Sequence, residues 1–363
     1  MDGGGPPSVD TSSRPVVLVW ELTQAWSLAC RHCRADAQER CHPEELTTTE
    51  GRALLASARR FGDGQLVVLS GGDPMARDDV HELVGYGTEL GLRMTLTPSG
   101  TERLTPARLE DLVDAGLRRV ALSLDGATPH RHDHFRGEGG SFERTLRAAR
   151  AASEAGLPLQ VNTTVCAETV DQLPAIRDLV EELGVVLWSV FFLVPIGRGA
   201  VLDPIHPDLA ERVMAWLDGV AADAPFGVKT TEAPHFRRVR LQRSAATDAV
   251  SNESPTRVIA GDGFVFVSHL GEIYPSGFLP LSVGNVHGDD LVERYREADL
   301  FEALRAPDAL LGKCGACPFN EVCGGSRSRA YAAAGDPLEA DPLCAYVPPG
   351  YDGPLPDPMG STA

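Results

Sequence analysis

The chain has 363 residues, is 43% hydrophobic and carries a formal net charge of −18. That length supports a large core and two domains, and the acidity excludes a nucleic-acid backbone as partner, which requires clustered Lys and Arg. No apolar run reaches the roughly 18 residues of a membrane helix. The opening, MDGGGPPSVDTSSRP, has neither the basic n-region nor the apolar h-region of a signal peptide. Residues 1–14 therefore read as a disordered arm of a cytoplasmic protein, and residues 348–363 as a Pro/Gly-rich disordered tail.

From Pro15 the pattern alternates short β-rich runs with helical periods. Strands are expected at 16–22, 65–70, 93–97, 119–124, 159–165 and 186–193. Helices are expected at 48–60, 79–90, 106–115, 141–155, 170–183 and 207–222. Thr105-Pro106 reads as an N-cap followed by proline at the first helical position. Six such units imply parallel strands with right-handed crossovers. Near-continuous apolar strands imply a sheet covered on both faces. A partial (β/α)6 barrel and a doubly wound sheet both satisfy this over 15–240. The polar run QRSAATDAVSNESP makes 241–258 a linker. A hairpin follows, Phe264-Val-Phe-Val-Ser-His, a Leu-Gly turn and Glu272-Ile-Tyr-Pro. A helix at 290–305 then leads into a second, smaller unit spanning 259–347.

Eight cysteines mark the chain: Cys30, Cys33, Cys41, Cys166, Cys314, Cys317, Cys323 and Cys344. In a reducing compartment, CxxC pairs point to metal or redox work instead of structural disulfides. Cys30 and Cys33 follow the first strand, where parallel α/β folds collect their chemistry. Thiolates at that spacing suit iron–sulfur clusters or zinc; a bare CxxC also reads as two reduced surface thiols. Ser70-Gly71-Gly72-Asp73-Pro74 follows the apolar run Leu66-Val67-Val68-Leu69, and its glycines permit close backbone approach to a ligand. Near the C-terminus, Cys314-x2-Cys317-x5-Cys323-x20-Cys344 supplies four thiolates for a closed site, either [4Fe–4S] or tetrahedral zinc. Cys166 reads as a small buried hydrophobe.

The stretch Trp20-Glu-Leu-Thr-Gln-Ala-Trp26-Ser-Leu-Ala-Cys30-Arg-His-Cys33 resembles the opening of the radical S-adenosylmethionine (SAM) superfamily. SGGDP is similar to that family's second-strand motif. CGACPFNEVCGGSRSRAYAAAGDPLEADPLC is similar to its SPASM/twitch extensions, as found in haem and haem d1 biosynthesis enzymes and peptide maturases. The resemblance implies a partial (β/α)6 TIM-like barrel followed by a small cysteine-rich domain. It implies a [4Fe–4S] cluster on a C-x3-C-x2-C loop, here Cys30 and Cys33, with one iron open to SAM. Gly71, Gly72, Asp73 and Pro74 would then contact SAM. Ser123 and Asp125, Asn162, and Pro195 and Gly197 would line the SAM and substrate cavity. Arg198, a planar donor fork, is a candidate anchor for an anionic group. Cys314, Cys317, Cys323 and Cys344 would hold one auxiliary [4Fe–4S] cluster, since the hairpin position where a further ligand often falls reads Tyr274-Pro-Ser276-Gly277. The implied reaction is reductive cleavage of SAM to methionine and a 5′-deoxyadenosyl radical that abstracts hydrogen from a tetrapyrrole or peptide, fed by an external electron donor.

The sequence departs from the family at Trp26, which stands at the first cluster position. Indole has only an N–H donor and cannot ligate iron. Cys41 could replace the missing thiolate only if the loop folded back; otherwise it is a surface thiol. The expectation is an impaired SAM-cleaving enzyme, or a pseudoenzyme that binds a partner and retains the auxiliary cluster. No single residue is identified as catalytic.

Overall fold

The structure, a computed structural model, describes residues 9–26, 30–34, 38, 40–246 and 257–357. Its first half is a run of β/α units: β1 (Val17–Thr23), α1 (Thr48–Arg59), β2 (Leu66–Gly71), α2 (Val80–Glu89), β3 (Arg93–Leu96), α3 (Pro106–Asp114), β4 (Arg119–Ser123), α4 (Pro129–Arg136), α5 (Ser141–Glu154), β5 (Leu159–Val165), α6 (Leu173–Glu182), β6 (Leu187–Phe192) and α7 (Pro207–Asp223). Local chemistry sets the helix starts. Thr47 and Glu50 cap α1 reciprocally. Thr105 accepts from Arg108 N–H at the start of α3, with Pro106 in its first turn, as expected.

All six expected strands form and pair in parallel, in register from Val17 opposite Leu66 to Asn162 opposite Ser189. Strand residues alternate between faces. Leu18, Trp20, Val67, Leu69, Met94, Val120, Leu122, Trp188 and Val190 point outward into the core beneath the helices. The other face, with Ser70, Thr97, Ser123, Asn162 and Phe191, lines a cavity. Residues in or just after five consecutive strands, β2 to β6, and from the loop after β1 meet around that one space, so the sheet is curled as a partial barrel.

Several boundaries differ from expectation. A seventh parallel strand, β7 (Gly227–Thr231), joins β6; its sequence, GVKTT, has no apolar run to announce it. Helix α8 (His235–Ala246) takes in the first residues assigned to the linker, 241–246; residues 247–256 lie outside the described residues. β8 (Phe264–Val267) pairs in parallel with β1, and β9 (Glu272–Tyr274) and β10 (Gly284–Asn285) extend it antiparallel. The described strands thus form one 10-stranded sheet, ordered β10-β9-β8-β1-β2-β3-β4-β5-β6-β7. The hairpin of the smaller unit is therefore part of the barrel wall.

The expected helix at 290–305 is two helices, α9 (Leu291–Glu297) and α10 (Asp299–Arg305), broken where Ala298 turns extended. The short α11 (Gly312–Gly315) and α12 (Arg327–Ala334) follow. Residues 9–14 of the expected disordered arm are docked. Tyr295 donates to the Thr11 carbonyl at 2.5 Å and Arg296 to that of Ser13 at 2.9 Å. In the expected tail, Tyr351 N–H closes a turn onto the Pro348 carbonyl at 3.1 Å; 358–363 lie outside the described residues. No helix among the described residues is long and apolar enough to cross a membrane.

Candidate metal and cofactor sites

The cysteine loop leaves the end of β1 and is closed by a bridge between Ala25 and Gln38. Trp26 N–H donates to the Gln38 carbonyl at 2.8 Å. The loop is held from beneath by the SGGDP turn: Gly72 N–H meets the Thr23 carbonyl at 2.7 Å and Asp73 N–H that of Ala25 at 2.8 Å. Gly71 has φ +132°, and a Cβ at Gly72 would overlap the Ala25 carbonyl. The glycines are thus required first by the chain's own close approach, before any ligand. From the other side, Arg198 N–H donates to the Cys33 carbonyl at 2.9 Å. A Cβ at Gly197 would overlap the Arg34 carbonyl.

Within this frame Cys30 and Cys33 are buried together, and the indole of Trp26 packs against both. Its Nε1 is buried with no hydrogen-bond partner among the described residues. Arg136, from α4, sits 5.5 Å from the centre of the indole ring and 3.3 Å from Asp125. Burial pushes the Cys30 thiol up to about 11, with Arg136 pulling the other way. Burial alone would raise Asp125, but His32 and Arg136 hold it below the usual carboxylate range. His32 stacks on Phe135 at 4.7 Å.

A cleft with about 930 Å³ of empty space opens over the strand ends. Trp26, Cys33, Gly71, Gly72, Ser123 and Asn162 are among its lining residues, together with Arg34 and Arg136. The turn and the cysteine loop therefore face one space, as expected from adjacent parallel strands.

Other expected contacts do not reach the cleft wall. Asp73 is buried and organises the turn, accepting from Met75 N–H at 3.1 Å and Thr101 Oγ1 at 2.7 Å. Pro74 is buried in the same turn. Asp125 accepts from Thr164 N–H at 2.7 Å. Pro195 and Gly197 shape the loop that backs Cys33. The Arg198 guanidinium keeps buried Nε and Nη2 without partners among the described residues. Cys41 is exposed and lies 3.6 Å from Thr23 Oγ1, whereas Cys30 and Cys33 are buried. Cys166 is buried in an apolar cluster with Phe135, Leu193 and Leu202, as expected.

Among the described residues of this loop, the donor set is therefore two thiols and an indole. It does not fit a cluster that needs three thiolates and an open iron.

The C-terminal cysteines are arranged differently. Cys314, Cys317, Cys323 and Cys344 line one cavity of about 350 Å³, with Arg238, Lys313 and Gly325. Gly324 and Gly325 take left-handed φ of +68° and +67°, and a Cβ at Gly325 would press on Cys314 Sγ at 3.3 Å. Cations surround the thiols. Arg238 Nη2 lies 3.8 Å from Cys344 Sγ, Arg327 Nη2 lies 3.7 Å from Cys314 Sγ, and Lys313 Nζ donates to the Cys344 carbonyl at 2.5 Å. Burial raises Cys323, and it raises Cys344 to about 11. Metal binding must therefore deprotonate both.

No three His, Cys, Asp or Glu side chains among the described residues converge closely enough for a single ion. Four thiols spread around a larger space, ringed by positive charge, fit an anionic cubane better than one zinc.

Arg329 ties this unit to the cleft. It donates to the carbonyls of Leu193 (3.1 Å), Phe192 (3.3 Å) and Glu232 (2.6 Å), and pairs with Asp341 at 3.1 Å. Phe192 and Leu193 line the cleft. Arg34, Arg136, Arg238 and Arg329 were all missed in the sequence. For Arg136 a signal existed: Thr128-Pro129 is an N-cap and first-turn proline, and Thr128 does accept from Arg131 N–H. The segment PHRHDHFR carries no apolar period to support it.

A model of the radical SAM superfamily matches residues 23–180. The AdoMet-dependent heme synthase of Methanosarcina barkeri (strain Fusaro / DSM 804) is 39% identical over 344 residues, 93% of this chain and 98% of that one. The PqqA peptide cyclase of Rhodopseudomonas palustris (strain ATCC BAA-98 / CGA009) is 31% identical over 353 residues, 93% of this chain and 89% of that one. The crystal structure of Streptococcus suis SuiB shares the fold, with a TM-score of 0.72 at 18% identity, over 92% of this chain and 78% of that one. The chain belongs to the radical SAM superfamily, in its SPASM/twitch branch, whose cofactors are SAM and [4Fe–4S] clusters.

Proposed function

We propose that this chain is a cytoplasmic radical SAM scaffold of the haem-biosynthesis kind, built to take a tetrapyrrole in the barrel and impaired in SAM cleavage by Trp26. A peptide substrate is the other member of the class. The tetrapyrrole is favoured because the likeness to the AdoMet-dependent heme synthase is stronger, 39% against 31% for the peptide cyclase. The reaction such a scaffold serves is hydrogen abstraction, with electrons from an external donor.

One observation carries the impairment: the Trp26 indole lies against Cys30 and Cys33 where a third thiolate is needed. No step is assigned to a SAM cluster in this chain. Cys314, Cys317, Cys323 and Cys344 are assigned to one auxiliary [4Fe–4S] cluster, which supplies electron transfer or structural support when bound. Around it, Arg238, Lys313 and Arg327 offset the cluster's negative charge. At the cleft, Ser123 and Asn162 offer a hydroxyl and an amide, Gly71 and Gly72 hold the floor, and Arg34 and Arg136 offer fixed positive charge.

The same indole favours a second reading, a pseudoenzyme that binds its ligand and keeps the auxiliary cluster. Anaerobic purification followed by metal and sulfide analysis tests the ligand assignments. About four irons and four sulfides per chain are expected. About eight would overturn the impairment, and zinc without sulfide would overturn the cluster. Production of 5′-deoxyadenosine under strong reductant then separates a slow enzyme from a binding protein.

A further inference from the structure

Arg327, which opens α12, holds a buried guanidinium that pairs with no carboxylate among the described residues. Its side chain donates to three main-chain carbonyls, those of Gly325 (3.2 Å), Pro337 (2.9 Å) and Glu339 (2.8 Å). All three acceptors are neutral. Its remaining contact is with a thiol, Nη2 standing 3.7 Å from Cys314 Sγ. Gly325 keeps that approach open: its φ is +67°, and a Cβ there would meet Arg327 Nη2 at 2.5 Å. An enclosed cation with only neutral partners costs stability unless an anion meets it.

Arg238, from α8, makes the matching contact at the last cysteine. Its side chain is 4% exposed, and Nη2 lies 3.8 Å from Cys344 Sγ. Here the charge is shared. Arg238 pairs with the carboxylate of Glu211, from α7, and donates to Gln242 Oε1 at 2.7 Å. Two guanidinium groups thus reach two of the four cysteines, one balanced by a carboxylate and the other not.

We propose that Arg327 and Arg238 are positioning residues that set the reduction potential of the auxiliary cluster through N–H···S contacts to Cys314 and Cys344, with Arg327 the stronger of the two. This rests on the assignment of the four cysteines to a [4Fe–4S] cluster, made above. One electron from the external donor makes the cluster more negative. A fixed cation beside its sulfurs therefore stabilises the reduced form more than the oxidised form, and raises the potential. Burial keeps solvent ions from screening the effect. Arg327 acts with its whole charge, whereas Glu211 cancels part of that of Arg238.

The test is an anaerobic redox titration of the full-length, cluster-loaded chain, read by electron paramagnetic resonance of the reduced cluster. Arg327→Met should lower the midpoint potential by about 59 mV or more, a tenfold change in the one-electron equilibrium. Arg327→Lys, which keeps the charge, should recover most of that loss. Arg238→Met should lower the midpoint less than Arg327→Met does. Glu211→Gln leaves Arg238 uncompensated and should raise it. A purely structural role would lower Tm and iron content while the midpoint of the remaining cluster stayed in place. Less than a twofold change in the equilibrium for Arg327→Met, with its cluster assembled, overturns the inference. If Arg327→Met assembles no cluster, Glu211→Gln decides: an unchanged or lower midpoint overturns the inference. Zinc without sulfide in the unaltered chain overturns the cluster and the inference together, whereas a cluster whose midpoint ignores these substitutions overturns the inference alone.

Discussion

Trp26 places an apolar ring beside two buried thiols and leaves its own Nε1 buried without a partner among the described residues. Trp26→Cys should add about four irons per chain, one further [4Fe–4S] cluster, and bring 5′-deoxyadenosine production above the unaltered chain's level. Failure to gain iron would mean that the loop has lost more than a ligand. Gly72 acts at the same scale but through the backbone. A side chain there meets Ala25, so Gly72→Val should unseat the cysteine loop before it blocks any ligand. The expected signs are a lower Tm and faster alkylation of Cys30, together with loss of SAM binding. Loss of SAM binding with unchanged Tm and unchanged Cys30 reactivity would restore the simpler explanation, contact with the ligand alone.

Among the elements, α12 is fastened to the end of β6 by Arg329, which leaves Asp341 fully compensated in the interior. Arg329→Met removes one partner of a buried pair and should cost about 3–5 kcal/mol in urea denaturation, with auxiliary iron lost in the same transition. A cost under about 1 kcal/mol would show that water replaces the guanidinium. These contacts were invisible in the sequence because Arg329 and its carbonyl partners are 97 to 137 residues apart. The six long strands were legible because both their faces are buried and each ends on a polar turn. β7 was not, because Lys229 and two threonines break its apolar pattern. The break at Ala298 was hidden as well, since both sides of it are good helix formers. The cysteines were legible by spacing alone, whereas the cations around them come from α8, α11 and α12, and only the fold brings those together.

At the scale of the molecule, the shared sheet predicts that barrel and cysteine-rich unit unfold together. Near-UV circular dichroism and thiol exposure should report one transition, and two separated midpoints would contradict the continuous wall. Acid should destabilise this joint. Asp341 is held down to about 2: burial opposes ionisation, but the Arg329 guanidinium outweighs it. Burial also keeps His235 neutral, far below its ordinary value. In both cases the unfolded chain binds protons more readily, so stability is lost as pH falls, first below about 6.5 through His235 and then below about 4 through Asp341. A urea midpoint flat between pH 7 and 4 would contradict the histidine contribution. The pairing of β1 with β8 has a consequence for how the protein is made. Val17 leaves the ribosome long before Phe264, its neighbour in the finished sheet. Until then β1 presents an open edge, with the cysteine loop at its tip braced on one side only. Newly made chains therefore pass through a stage prone to strand-to-strand aggregation, and expression at low temperature or with a chaperone should raise the soluble yield more than any change in the loop itself.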